Sequence, residues 1–238
     1  MILKKYEDLP EKMKNNEVKE YYEILKHKKF SLIIKRIFDF FAALILLIIL
    51  SPIMLVLALL IKLESKGPVF YRQERITKYG KKFRIFKFRT MVQDADKKGA
   101  LVTMGQDPRI TKVGNKIRKC RLDELPQLLN IIKGDLALIG PRPVVKDEMS
   151  FVGTRPEVEK YVNEYSNEMK ATLLMSAGIS SRASIEYKDE DEIISKYLNE
   201  GEKIDDIYVK RILPEKMKWN LEYIKKFNIL EDIKICFK

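Results

Sequence analysis

Residues 40–61 read FFAALILLIILSPIMLVLALLI, a run of 22 residues without a charged side chain. At 1.5 Å per residue, an α-helix of this length is long enough to cross the ~30 Å hydrocarbon core of a bilayer. A soluble domain built from a chain of 238 residues has no need of such a segment. The run and its edges, residues 37–63, therefore predict a protein embedded in a membrane.

Two features argue against a simple membrane span. Ser51-Pro52 lies in the middle of the run, and proline removes a backbone donor and clashes with the preceding turn, which predicts a kink or break. Both flanks are also basic, a pattern that favours the cytoplasm for both ends. The flanking cations are Lys28, Lys29, Lys35, Arg36, Lys62, Lys66, Arg72 and Arg75. The pattern fits a re-entrant helix over residues 35–66 or a proline-kinked span, and does not choose between them.

The net charge of +12 is concentrated directly after the apolar run. Residues 62–142 hold 20 Lys and Arg against 8 Asp and Glu, and charges in the rest of the chain cancel. A basic block beside a membrane segment indicates contact with anionic lipid, a phosphate-bearing substrate, or both. Nucleic acid is a weaker explanation, because the chain carries no nucleic-acid motif, and we predict no nucleic-acid partner.

Histidine and cysteine chemistry is not expected. His27 is the single histidine and lies in a charged stretch, and Cys120 and Cys236 belong to no CxxC pair or Cys/His cluster. A disulfide framework and a structural zinc site are therefore not predicted. Carboxylates, lysines or arginines must carry any chemistry.

The remaining pattern predicts a mixed α/β, mainly helical fold. Residues 1–34 form a charged N-terminal extension with a helix near 10–28, and residues 67–238 form one domain. Strands are expected at 69–75 and 83–89, where apolar and basic residues alternate, with a turn at Tyr79-Gly80. Helices are expected at 110–120, opened by Asp107-Pro108, and at 125–132, closed by Gly134. Further helices are expected at 157–174, 190–198 and 205–227.

The sequence RKCRLDELPQ at 118–127 places two adjacent carboxylates, Asp123 and Glu124, among basic residues ahead of a helix. One interpretation is structural, with Asp123 as the N-cap and Pro126 in the first turn. The other is chemical: an ionised aspartate can attack phosphorus, and its neighbour can help to hold Mg²⁺. Arg118 and neighbouring cations would favour the ionised form of Asp123.

Two further segments allow both kinds of interpretation. Lys87 and Arg89 are two residues apart in a predicted strand and so lie on the same face of it. They could belong to a cationic edge strand, or they could bind phosphate. Arg142 and Pro143 lie in the sequence Gly-Pro-Arg-Pro. This segment could be only a stiff turn, or it could hold Arg142 rigidly so that it binds a phosphate. The order and spacing of the three segments form a stronger signal than any one of them.

These segments together resemble the bacterial sugar transferase family, the monotopic phosphoglycosyl transferases. The resemblance is carried by KRIFDF at 35–40, Ser51-Pro52, GPVFYRQER at 67–75, FKFRTM at 86–91, and the long stretch ITKVGNKIRKCRLDELPQLLNIIKGDLALIGPRP at 110–143. It implies a small cytosolic catalytic domain, on the cytoplasmic face of the bacterial inner membrane, in contact with membrane lipid. That domain would rest on a re-entrant helix broken at Ser51-Pro52.

The resemblance also implies an activity and its residues. A sugar phosphate would move from a UDP-sugar to polyprenol (undecaprenyl) phosphate, giving a polyprenol diphosphate sugar and UMP. Asp123 would be the nucleophile, Glu124 its partner and both carboxylates ligands of Mg²⁺. Substrate-binding positions would be Lys87, Arg89, Arg118, Arg142 and Pro143. Other glycan-assembly enzymes are expected partners.

Two expectations follow from the C-terminal third. Family members commonly carry Pro-Gly-Ile-Thr-Gly, whereas residues 176–184 read SAGISSRAS, so sugar preference should depend on Ser181 and Arg182. Residues 214–227 form a helix that packs on the core or lies in the membrane plane. The competing functions are a membrane scaffold without catalysis and an anchored hydrolase.

Overall fold

The computed structural model describes residues 3–93, 95, 108–141, 162–183, 196–197 and 204–236. The α-helices in this part are α1 (Asn16–His27), α2 (Lys29–Glu64), α3 (Lys112–Lys119), α4 (Leu128–Lys133), α5 (Ile204–Ile207), α6 (Leu213–Lys225) and α7 (Ile229–Cys236). The strands are β1 (Phe70–Thr77), β2 (Lys81–Phe88), β3 (Leu136–Ile139) and β4 (Ala177–Ser180). The prediction of a mixed α/β, mainly helical fold is confirmed.

The structure describes α2 as one α-helix with Pro52 inside it, so it does not show the predicted break at Ser51-Pro52. A kink at this position stays a prediction. Pro52 has no N–H to donate to the carbonyl four residues earlier, which belongs to Ile48. The Ser51 hydroxyl donates to that carbonyl instead, at 2.8 Å. The serine thus replaces the missing backbone donor, and the helix continues. Whether α2 enters and leaves the membrane on the same face is a separate question, and the re-entrant arrangement stays a prediction.

One stripe of α2 packs against the rest of the protein along nearly its whole length. Its buried positions follow helical spacing and are Leu32, Lys35, Asp39, Ala43, Met54, Leu57 and Ile61. The other faces expose large apolar side chains, and only 17% of the most apolar 18-residue window is buried. By length and composition the helix could cross a membrane, and its exposure differs from that of a soluble core helix.

The predicted β-hairpin is confirmed. Strands β1 and β2 pair antiparallel, from Phe70 opposite Phe88 to Thr77 opposite Lys81. The connection contains Tyr79 and Gly80, both with positive φ, which reverses the chain tightly. Strands β3 and β4 form a second, parallel pair. The hairpin and the β3 strand pack on the middle of α2 through Phe83, Ile85 and Leu136 around Ala43.

Residues 1–34 were predicted as a charged extension with a helix near 10–28. The helix is confirmed as α1, and the described part of the segment belongs to the largest apolar core among the described residues. Met13, Val18 and Leu25 are fully buried there, together with Leu174 and Ile224 from the C-terminal half. Tyr21 donates to Glu168 at 2.5 Å, and Lys28 donates to the carbonyl of Phe227 at 2.9 Å. The N-terminal segment is therefore a structural part of the domain.

The predicted helix over 205–227 is largely confirmed, since α5 continues through a π-helical turn at Tyr208–Ile212 into α6. Met217, Leu221 and Ile224 of α6 are buried, so the core-packing interpretation of residues 214–227 holds. Of the predicted helix at 157–174, residues 162–174 are described; they contain the 3₁₀ helix Met169–Leu174 and do not form one continuous helix. Most of the predicted helix at 190–198 lies outside the described residues.

Helix α7 is tied to α2 by a buried polar cluster. Lys35 lies 3.3 Å from Asp39 and 2.7 Å from Asp232, and the Tyr223 hydroxyl donates to Asp232 at 2.7 Å. A buried charge is stable only when it is paired and hydrogen-bonded, and each of these charges is. The cluster fixes the C-terminal helix beside the first turns of α2.

Candidate active site

The two predicted carboxylates lie in a short 3₁₀ helix, Leu122–Gln127, that leads directly into α4. The residue that precedes it is Arg121, in the left-handed conformation at φ 53, and this residue occupies the N-cap position. The predicted role of Asp123 as N-cap is therefore wrong, because the helix begins at Leu122, two residues before the start that an N-cap at Asp123 would give. Gly134 ends α4 with φ 89, as predicted.

Lys87 joins the hairpin to the acidic pair. Its ammonium lies 3.2 Å from a carboxylate oxygen of Glu124, and both side chains are largely buried. Lys87 is the penultimate residue of β2, so the strand delivers its charge to the start of the 3₁₀ helix. The structure thus brings Lys87 to the acidic pair, Asp123 and Glu124, which was predicted from a separate segment.

Burial raises the pKa of Asp123 above its usual range. Lys87 and Arg118 oppose that rise, whereas the negative charge of Glu124 adds to it. The sequence predicted only the stabilising effect of the cations, because it gave no sign that Asp123 would be substantially desolvated. A buried carboxylate is poorly solvated, and it needs these cations to remain ionised.

Arg118 reaches the site from α3. Its Nε donates to the hydroxyl of Thr90 at 2.7 Å. Helix α3 approaches the chain at Thr90 very closely, because a Cβ at Gly114 would lie 2.1 Å from the Thr90 carbonyl oxygen. Only glycine fits there, so Gly114 sets the distance between α3 and the end of the hairpin, and with it the position of Arg118.

Arg89 is placed differently from Lys87. Its guanidinium donates to the carbonyls of Ser65 at 2.7 Å and Lys66 at 2.9 Å, and to the Ser65 hydroxyl at 3.0 Å. The side chain is 6% exposed and closes the C-terminal end of α2. Gly67, at φ 123, makes room, since a Cβ there would lie 2.1 Å from the guanidinium. These bonds favour a role in holding the helix end over the predicted phosphate grip.

Glu64 is a residue of this region that the sequence did not single out. Its two carboxylate oxygens accept from the backbone N–H of Val113, at 3.1 and 3.2 Å. Glu64 is the last residue of α2, and Val113 lies in the first turn of α3. A carboxylate stabilises a helix when it lies at the N-terminus, but only the fold shows which helix Glu64 contacts.

Three other predictions concern this region. Arg142 and Pro143 lie outside the described residues. Ser181 is buried, and Arg182 packs over the ring of Trp219 and lies 3.7 Å from Glu222. Across the part of the chain that the structure describes, no group of three or more His, Cys, Asp or Glu could hold a metal ion.

Fold and site together define a protein with a helix long and apolar enough to cross a membrane and with an acidic pair flanked by partly buried cations. The chain belongs to the bacterial sugar transferase family, whose model matches residues 30–146 and 144–238. The resemblance predicted from the motifs is confirmed.

Three curated relatives of this chain are named as enzymes that transfer a sugar phosphate to undecaprenyl phosphate. UDP-N-acetylgalactosamine-undecaprenyl-phosphate N-acetylgalactosaminephosphotransferase of Aeromonas hydrophila is 37% identical over 208 residues, 86% of this chain and 42% of that protein. Undecaprenyl-phosphate glucose phosphotransferase of Komagataeibacter xylinus is 35% identical over 205 residues, 85% of this chain and 34% of that protein. UDP-glucose:undecaprenyl-phosphate glucose-1-phosphate transferase of Escherichia coli is 32% identical over 209 residues, 86% of this chain and 39% of that protein. The chain spans less than half the length of these three relatives.

Proposed function

We propose that this protein transfers a sugar 1-phosphate from a UDP-sugar to polyprenol phosphate, giving a polyprenol diphosphate sugar and UMP, as a first step in glycan assembly. The observation that carries the proposal is the acidic pair, Asp123 and Glu124, with Lys87 and Arg118 close by. The names of the relatives support the same reaction class.

The proposed reaction has two steps at Asp123. A carboxylate oxygen attacks the sugar-bearing phosphorus of the UDP-sugar, and the bond from that phosphorus to the bridging oxygen breaks. UMP leaves with the electron pair, and the sugar phosphate remains as an ester on Asp123. An oxygen of the lipid phosphate then attacks the same phosphorus, which releases the carboxylate and forms the diphosphate product.

The cations of the site have separate tasks in this scheme. Lys87 pairs with Glu124 and helps to keep Asp123 ionised against the effect of burial. Arg118, held by Thr90, supplies a planar cation that can bind a phosphate through two N–H groups. Arg142, in the Gly-Pro-Arg-Pro segment, is proposed as a second phosphate ligand.

Magnesium is proposed as the cofactor, with Asp123 and Glu124 as its protein ligands. The donor set fits, because Mg²⁺ is commonly bound through one or two carboxylates, with substrate phosphates and water completing the shell. When bound, the ion neutralises charge on the diphosphate and so eases the approach of a carboxylate. A site of this kind needs no third side-chain ligand.

We further propose that α2 enters one leaflet and does not cross the bilayer, with the domain on the cytoplasmic face of the bacterial inner membrane. A 36-residue helix is ~54 Å long, and protein packs against it from Leu32 to Ile61. If α2 crossed the bilayer, the polar domain along its stripe would have to lie in hydrocarbon, which is very costly. The exposed apolar faces of α2 instead provide the contact with membrane lipid.

Cysteine labelling tests this topology. Cys120 and Cys236 are first replaced by serine, and single cysteines are then placed at the exposed positions Lys12 and Lys81. Neither site should react with an impermeant maleimide in intact cells, and both should react after lysis. Reaction of either one from outside would overturn the single-leaflet arrangement.

Release of UMP separates the proposed function from its two rivals. Purified protein is incubated with a UDP-sugar and Mg²⁺, with and without polyprenol phosphate, over a panel of UDP-sugars. Continuous release that requires the lipid supports the transferase. Continuous release without lipid indicates a hydrolase, and no release with any sugar indicates a scaffold, so either result would overturn the proposal.

A further inference from the structure

Two adjacent aromatic residues at the start of β1 are exposed. Phe70 is 39% exposed and Tyr71 is 38% exposed. In the part of the chain that the structure describes, every other exposed large hydrophobic side chain belongs to α2 or α7. Burial of an aromatic ring contributes favourable free energy, so an exposed pair on the hairpin indicates a surface that another molecule covers.

Tyr71 lies beside the acidic pair. In the antiparallel ladder it is directly opposite Lys87, and such residues share one face of the hairpin, with Cβ atoms about 4.5–5.5 Å apart. The Lys87 ammonium in turn lies 3.2 Å from a carboxylate oxygen of Glu124. Tyr71 is therefore on the face of the hairpin that carries the proposed reaction site.

Phe70 links the same end of the hairpin to α2. Its ring stacks on that of Phe88, with the centroids 5.5 Å apart. Phe88 is buried in an apolar cluster that joins the C-terminal half of α2 to the 3₁₀ helix of the acidic pair. The residues of this cluster are Met54, Leu57, Ile61, Phe88 and Ile117, with Leu122 and Leu125 packed against it. The aromatic pair thus connects α2 with the proposed site.

The same half of α2 also provides apolar surface for lipid in the arrangement proposed above. Leu59, Leu60 and Leu63 are exposed there. The acceptor in the proposed function has an apolar chain and a charged phosphate, so it fits best where apolar surface borders a cationic site. The uridine of the donor is also a planar ring, but it comes from water and needs no apolar surface that leads from α2.

We propose that Phe70 and Tyr71 bind the isoprenoid chain of the acceptor, at the units next to its phosphate. The inference rests on the proposed function, because it takes polyprenol phosphate as the molecule that attacks the ester on Asp123. The chain reaches the aromatic pair from the exposed face of α2, and its phosphate continues past Lys87 to the acidic pair. The pair thus places the phosphate of the acceptor for the second step.

Separate measurement of the two steps tests this role. The full chain in detergent micelles is mixed with UDP-sugar and Mg²⁺, and the ester on Asp123 is followed by intact mass. Polyprenol phosphate is then added, and decay of the ester gives the rate of transfer. Tyr71→Ser should form the ester at the natural rate, but transfer at low acceptor concentration should fall about 10-fold or more, because an apolar contact with the chain is lost. Tyr71→Phe keeps the ring and should keep the rate of transfer.

Two controls show whether the contact is local. A short prenyl phosphate of two isoprene units keeps the part of the chain next to the phosphate, so Tyr71→Ser should impair its transfer as well. Leu230→Ser removes an exposed apolar side chain of α7 and should leave both steps unchanged. If Tyr71→Ser does not fold, a prenyl phosphate with a photoreactive group on its first isoprene unit should label Phe70 or Tyr71 of the natural protein.

Several results would overturn the inference and leave the proposed function intact. They are a normal rate of transfer in Tyr71→Ser, slower ester formation in that variant, an equal loss in Leu230→Ser, a loss that disappears with the short acceptor, and photolabelling only at other residues. Slower ester formation would assign Tyr71 to the donor instead. A natural protein that forms no ester and transfers nothing would refute the proposed function, and this inference with it.

Discussion

The hydrogen bond from Ser51 to the Ile48 carbonyl makes a quantitative prediction about the membrane helix. Ser51→Ala removes the 2.8 Å bond and leaves that carbonyl without a donor, since Pro52 cannot supply one. An acceptor left unsatisfied away from water costs about 1–3 kcal/mol, and the proposed insertion of α2 into the membrane would place the Ile48 carbonyl in hydrocarbon. We expect Ser51→Ala to lower the free energy of unfolding by about 2 kcal/mol.

A double-mutant cycle isolates this effect. In a Pro52→Ala background, residue 52 gains an N–H that donates to Ile48, so Ser51→Ala should then cost less than about 0.5 kcal/mol. The helix-propensity gain of serine to alanine appears in both backgrounds and cancels. Ser31→Ala, in the same helix but remote from the proline, measures that gain alone.

The assay is unfolding of the full chain in mixed micelles by increasing dodecyl sulfate, followed by far-ultraviolet circular dichroism. Four proteins complete the cycle, and the coupling free energy between positions 51 and 52 should be about 1.5 kcal/mol. If Ser51→Ala costs the same in both backgrounds, the serine does not compensate for the proline and the reasoning fails.

Three further predictions concern the site. Asp123→Asn should fold, but its turnover should fall by more than ~10³-fold. Mass spectrometry should find the sugar-phosphate adduct on Asp123 of the natural protein and no adduct on the variant. An adduct on another residue would refute the assignment of Asp123 as the nucleophile. Arg89→Lys should lower the free energy of unfolding by ~2–4 kcal/mol, since lysine cannot donate to the same set of carbonyls. Arg84→Lys, at an exposed position of β2, should change it by less than ~0.5 kcal/mol, and a change in KM alone for Arg89→Lys would instead support a phosphate grip. Formation of the ester from UDP-sugar alone needs the ionised Asp123 carboxylate, so its rate should fall as the pH falls through the raised pKa of Asp123. Lys87→Met removes a nearby positive charge and should move that decline to higher pH. A pH profile that does not move would exclude the electrostatic role of Lys87.

Features that depend on local chemistry could be predicted from the sequence. The hairpin follows from alternation and a turn at Tyr79-Gly80, and the end of α4 follows from Gly134. Helix α3 was expected at 110–120 with Asp107-Pro108 at its start; it is Lys112–Lys119, and its N-cap is Thr111 instead. In each case a few neighbouring residues determine the backbone conformation, so no knowledge of distant packing is needed.

Features that depend on tertiary contacts could not be predicted. Lys87 and Arg89 have period-two spacing, but β2 ends at Phe88, so the alternation does not extend to Arg89 and the two cations serve different partners. The N-terminal segment is charged overall, and its buried positions are recognisable only once their C-terminal partners are known. The sequence likewise could not show which helix Glu64 would contact, because that depends on the position of α3 in the fold.

The pairing of the N-terminal segment with the C-terminal helices determines the order in which the protein can fold. Tyr21 and Glu168 are 147 residues apart in sequence, and Lys28 and Phe227 are 199 apart. During synthesis α1 and α2 leave the ribosome long before their partners, α6 for α1 and α7 for α2, exist. The core can therefore close only after α6 has been synthesised, and until then Met13, Val18 and Leu25 have exposed apolar surface that a chaperone or the membrane surface could cover.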